Sequence, residues 1–425
     1  MELKTKYQYT YFIYPFTIKQ ERVPRYLNKL LRDKNFKLKI FERAKDLELY
    51  QYFLPKMSEF LFSSLSFSEA KLKKLEDLPD DTKAALLAKC PCTIFEYQLK
   101  KDIQGKTENN SIFFRIQKME IMCFNTGICF LCIKTNVEDS QSFSDILNFN
   151  YKFRTVCAPY DNLKNYDNIH LQADAFDDMS KLSDLLENIT GSKIETHKLD
   201  IDNQNFLTYS YVCIDQQLWN EQKSFENIEP YYTKFVNFLP ADNAIKYDKE
   251  KALTFAKWKY AKIGMSKKGV TLFTSDADMN NYTILPDTFE REYFYTYILN
   301  LYKKLYLKKL KLEFKVPQSL SKARKKFIEF TKNLWVQEVT EDEVGSCLSH
   351  DLGKVLELDR IYLELKNQYD VLYKEYHIEK NTRIGICLLV VLIITLIINL
   401  LGYIQLLGWE KRKLWKLHVV LILLK

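Results

Sequence analysis

From Ile384 to Trp409 the chain runs through ICLLVVLIITLIINLLGYIQLL and its flanks without one charged side chain. A bilayer's hydrocarbon core needs about 20 apolar residues as a helix, and buried helices of soluble proteins rarely sustain such a run. The segment predicts a transmembrane helix; a central helix of a soluble oligomer is the other reading. Lys380 and Arg383 precede it, and Glu410, Lys411, Arg412, Lys413 and Lys416 follow, so basic residues on both sides leave the orientation open. Met1 to Thr10 is polar and lacks the apolar core of a signal peptide, which predicts a cell-membrane protein with residues 1–383 in the cytoplasm.

What precedes the span is expected to fold. The chain has 425 residues, 47% of them hydrophobic, with 28 Tyr and 28 Phe, which excludes a mainly disordered polymer. Nine irregularly spaced Cys do not make a secreted disulfide scaffold. Residues 1–285 read as an α/β domain. Tyr7 to Phe16 is an aromatic, β-favouring run, and Val23 to Leu54 has helical spacing. Thr93 to Leu99, Ile112 to Phe124 and Ile128 to Asn136 read as strands, the last two joined across Asn125-Thr126-Gly127. Residues 140–148 and 174–190 look helical, Leu207 to Ile214 extended, and Glu229 to Phe238 helical. Trp258 to Gly264 and Gly269 to Thr274 form a second hairpin. Alternation of this kind predicts a mixed sheet with helical layers.

Beyond Pro286 the pattern is helical. A helical layer over 286–339 contains one helix from Asp287 to Leu312 and another from Pro317 to Leu334. A stalk helix over 340–383 opens on Thr340-Glu-Asp-Glu343, read as a capping box, and continues unbroken into the span over 384–409. Val355, Leu358, Tyr362, Leu365, Tyr369, Leu372 and Tyr376 take heptad a and d positions, which suits packing on the protein's own helices or a homo-oligomeric stalk. Residues 410–425 read as a basic tail or a shortened second span. Lys303, Lys304, Lys308 and Lys309 belong to a basic stretch, residues 301–326, whose single acid is Glu313. Ahead of a membrane span such a stretch suits lipid headgroups or field control near a pore better than nucleic acid; a solvated helix face is the plain alternative.

Tyr293 to Leu312, Leu334 to Glu343 and Leu363 to Leu401 resemble the CorA-like family of divalent metal ion transporters. The resemblance implies an α/β cytosolic domain, a long stalk helix and a membrane helix near the C-terminus. It also implies assembly of five copies around a central pore, passage of partly hydrated divalent cations, chiefly Mg²⁺, and closure by metal held between cytosolic domains. CorA-like proteins also occur among CRISPR-associated membrane effectors that answer a nucleotide signal, which gives a second functional class, a membrane-anchored sensor or defence effector. The chain departs from the family pattern in two places. Its Gly-Met-Asn motif is absent, Gly402-Tyr403-Ile404 standing nearest by position, and Leu417 to Leu424 is too short for a second span.

Within the span, Asn381, Thr395, Asn399 and Gly402 fall on one helical stripe together with Gly385, Leu388 and Leu392. Neutral amide and hydroxyl oxygens bond a cation's water shell without the trapping a carboxylate causes, so the stripe suits a pore lining. The competing reading bonds Thr395 to its own helix and Asn399 to a neighbour. Asp174, Asp177 and Asp178 are the candidate carboxylates for regulatory Mg²⁺, against a solvated acidic face. Asp276 to Asp287 opens like a Ca²⁺ loop but lacks Gly at its sixth position and Glu at its twelfth, and reads as a hydrophilic loop. Cys90, Cys92, Cys129 and Cys132 read as buried apolar cysteines, since residues three apart in a strand face opposite ways. No phosphate-loop, nucleophile-elbow or zinc-protease spacing occurs, so no catalytic residue and no resident cofactor are expected.

Overall fold

The N-terminal strand sets the sheet, because its backbone pairs with a strand on either side while its side chains alternate between the two faces. The computed structural model describes residues 3–42, 44–63, 75, 77–99, 101–107, 112–138, 142–154, 169–172, 180–190, 205–243, 252–316 and 320–423. The strands are β1 (Thr5–Thr17), β2 (Phe36–Leu38), β3 (Cys92–Tyr97), β4 (Ile103–Thr107), β5 (Phe113–Phe124) and β6 (Ile128–Val137), followed by β7 (Ile169–Gln172), β8 (Ser180–Lys181), β9 (Leu207–Ile214), β10 (Leu253–Phe255), β11 (Ala261–Ser266) and β12 (Gly269–Ser275). They make one 12-stranded sheet in the order β10-β11-β12-β9-β1-β6-β5-β4-β7-β8, with β3 also on β5 and β2 on β3. Every pairing is antiparallel except β12 with β9, so the sheet is mixed, as the alternation of elements predicts.

On one face Phe12 meets Phe153 and Phe149 at ring separations of 4.2 and 5.8 Å, and Phe114 closes the group. Helices Val23–Arg32, Phe143–Phe153 and Leu182–Thr190 cover this face with Leu27, Leu30 and Leu185. Each fully buried aromatic or aliphatic side chain here contributes about 1.5–3 kcal/mol. The opposite face carries Tyr9, Tyr11, Tyr209 and Tyr211, all buried, and receives the helix Phe294–Phe314. Tyr209 stacks on Phe289 at 4.1 Å, and Tyr11 lies 4.7 Å from Phe294. The phenols donate to Pro286 O at 2.7 Å, Glu290 Oε1 at 2.6 Å and Phe289 O at 2.6 Å, where five residues, Phe289–Tyr293, widen into a π-turn. The tyrosines thus bury apolar rings while their hydroxyls bond the Glu290 carboxylate and two backbone carbonyls at or just before the irregular turn.

The β5–β6 hairpin forms where Gly permits the turn. Gly127 has φ +83, and a Cβ there would stand 2.1 Å from Ile18 O. β11 and β12 meet through Ser266 and Gly269 around Lys267-Lys268.

Several expectations are corrected. Val23 to Leu54 is not one helical stretch: helix Val23–Arg32 stops at Asp33, β2 follows, and a short helix spans Leu47–Tyr52. Thr340 does not cap by a box. Its hydroxyl donates to Tyr52 O and accepts from Asp342 N, so Asp342 takes the cap and accepts from Gly345 N at 2.7 Å. Nor does the stalk run unbroken from residue 340 into the span. Helix Glu343–Val355 ends at Leu356, and Glu357 turns the backbone with φ 58. Its carboxylate bonds Lys267 and Arg360, which draw its pKa down to about 2. Those charges hold a left-handed residue that costs on the order of 1 kcal/mol or more.

The chain divides into two units, Met1–Tyr362 and Leu363–Lys425. In the first, Val355 and Leu358 are buried and Tyr362 stacks on Trp335 at 4.1 Å. The second belongs to the helix Leu358–Leu423, which continues through Glu410 to Lys416 without a turn.

Candidate functional site

Three places carry chemistry beyond the core. The first is the terminal helix, where Asn381–Val419 is long and apolar enough to cross a membrane and none of its apolar window is buried within the chain. Leu388, Leu392, Leu396 and Leu400 are all exposed. At about 100° per residue, Asn381, Thr395, Asn399 and Gly402 fall within an arc of roughly 60° on this helix. Asn381 and Asn399 are exposed and Gly402 half-buried. The Thr395 hydroxyl donates to Val391 O at 2.8 Å, four residues back. Its proton is thereby satisfied within the helix, and its lone pairs remain to accept. Lys413 lies over the Trp409 ring at 5.0 Å, on the same continuous helix.

The second is the helix Phe294–Phe314, which carries Lys303, Lys304, Lys308 and Lys309. None of the four is exposed, so they are not the solvated face that a basic run ordinarily forms. Lys309 donates to Thr126 O at the β5–β6 turn. Burial brings Lys304 down to about 8, aided by Lys308 and Lys267. Lys303 is 7% exposed, and burial alone brings its ammonium down to about 8. Among the described residues it has no hydrogen-bond or ion-pair partner.

Lys303 opens into a cleft of about 320 Å³, whose walls include Asn300, Glu338, Ser349, His350 and Asp359. Asn300 Nδ2 donates to Thr296 O at 2.9 Å and to Ser349 Oγ at 3.3 Å, tying the aromatic helix to Glu343–Val355. Glu338, His350 and Asp359 are exposed around it. Sequence reasoning found Lys303 as part of a charge run but not its burial. The available signal was Asn300 and Lys303, three apart on a helix that is mostly aromatic and aliphatic from Tyr293 to Tyr302.

The third cluster is acidic. Glu292 is raised to about 7, chiefly by burial and then by the charges of Asp342 and Glu48. Nearby Arg291 bonds Glu48 at 2.8 Å and pairs with Asp46 at 3.6 Å. Asp174, Asp177 and Asp178 lie outside the described residues. Among the described residues no group of three or more His, Cys, Asp or Glu is placed to hold a metal ion. The Asp276 loop is a polar turn, its carboxylate accepting from Gln216 N at 2.6 Å while buried Asn281 donates to Ser275 O at 3.0 Å. Cys92, Cys129 and Cys132 are buried, and Cys129 belongs to the core opposite the tyrosine face.

Comparison with protein families, curated proteins and solved structures finds no match to the chain.

Proposed function

We propose that the protein is a homo-oligomeric membrane channel for divalent cations of the CorA type, controlled by its sheet-containing unit on the cytoplasmic side of the cell membrane. The observation that carries this reading is the terminal helix: uncharged from Ile384 to Trp409, unburied by its own chain, and bearing the stripe of Asn381, Thr395, Asn399 and Gly402. Copies packed around that stripe present neutral oxygens to a hydrated ion and apolar side chains to lipid. Membrane potential supplies roughly 4.6 kcal/mol per 100 mV to a divalent cation, so transport needs no catalytic residue. Mg²⁺ is then cargo and, through Asp174, Asp177 and Asp178, regulator. The test is flux in proteoliposomes under an imposed potential. Movement of Mg²⁺, Co²⁺ or Ni²⁺ supports the channel; a silent, strictly single-chain particle refutes it.

A second reading is favoured by the Lys303 cleft: a membrane-anchored sensor whose soluble unit binds a signalling ligand and whose helix tethers or permeabilises. Ligand-dependent leakage of a vesicle dye, without cation selectivity, distinguishes it from the first.

A further inference from the structure

The cleft between the aromatic helix and Glu343–Val355 contains a charge that the fold itself does not neutralise. An ammonium taken out of water without a counter-ion is costly, and proteins ordinarily pair it, expose it or replace it. Lys303 is 7% exposed and unpartnered among the described residues, and it borders a part of its surroundings that stays open. Hydrogen-bonding capacity surrounds that opening. Ser349 Oγ accepts from Asn300, which leaves the serine proton to be donated elsewhere. His350 follows on the same helix, and Gly353, one turn on, leaves open space where a side chain would stand. Glu338 and Asp359 also line the cleft and are exposed, an arrangement that repels a bare polyanion but accepts hydrogen bonds from the far end of a larger molecule.

We propose that this cleft binds the oxyanion group of a small soluble molecule, a phosphate or a carboxylate, held by Lys303 and Ser349, with hydroxyl or amino groups of the same molecule directed to Glu338 and Asp359. The proposal deepens the sensor reading by naming the ligand's chemistry, and it stands or falls separately from cation flux.

The experiment uses the whole 425-residue chain in detergent, titrated calorimetrically at constant ionic strength with glycerol 1-phosphate in one arm and glycerate in the other, each carrying one oxyanion group and free hydroxyls. Saturable binding of either probe is expected, and which arm responds identifies the oxyanion. Lys303→Gln should weaken that binding by at least roughly tenfold, because a charge-assisted bond is replaced by a neutral one. Gly353→Leu, a substitution that favours the helix while filling the cleft, should abolish it. Failure of both probes to bind the unmodified protein overturns the proposal. So does unchanged affinity in Gly353→Leu, a result that stays informative even if Lys303→Gln does not fold. Flux measured on the same preparation reports on the channel independently.

Discussion

Glu292 illustrates how much a single side chain's surroundings decide. Its folded pKa of about 7 lies above the ordinary 4.5, so the fold holds that proton more tightly than the unfolded chain does. The resulting stabilisation is complete below the ordinary value and is lost as pH rises through the folded one. Glu292→Gln removes the charge that causes the loss. The variant is expected to melt above the unmodified protein at about pH 8 and together with it at about pH 4, as followed by circular dichroism in detergent. Gly127 makes a steric counterpart. With φ +83 and Ile18 O only 2.1 Å from a notional Cβ, Gly127→Ala is expected to lower stability by about 1–3 kcal/mol, read as a shift in urea midpoint.

Among the elements, the terminal helix has the clearest consequence. An arginine at the centre of a membrane helix costs about 2.5–3.5 kcal/mol in insertion, so Leu392→Arg with Leu396→Arg should move the protein from the carbonate-resistant membrane fraction to the soluble one. This helix was legible because an uncharged run of its length has few other uses. The β5–β6 and β11–β12 hairpins were legible for a local reason too: alternation on both sides of a short turn containing or abutting Gly. Elements that depend on distant partners were not. β2 is three residues long and exists by pairing with β3, so Phe36–Leu38 looked like a continuation of the helix before it. The break at Glu357 has neither Gly nor Pro to announce it and is held by Lys267, far away in sequence. Thr340 was diverted from capping by Tyr52 O for the same reason. Of the candidate sites, the polar stripe could be read from helical periodicity, whereas the Lys303 cleft required separate helices and the non-helical residues Gln337 to Val339 to be brought together.

For the whole molecule, the distinguishing measurement is whether chains associate through the stripe. Asn399→Leu retains the helix and makes it more apolar while removing an amide, so cation flux should fall by roughly tenfold with no loss of membrane fraction, if the amide contacts the ion's water. Scattering in detergent should return the mass of several chains.

The position of β1 has a further consequence for biosynthesis. It lies between β6 and β9, so a strand made first waits for one made far later. At ribosomal speeds that wait is roughly 10–40 s, during which a tyrosine-rich edge stands bare and invites chaperone capture. The last strand ends at Ser275 and the apolar segment begins near Asn381, which leaves another roughly 5–20 s before a targeting receptor can see it. The sheet therefore has time to close before the apolar helix of residues 381–419 emerges.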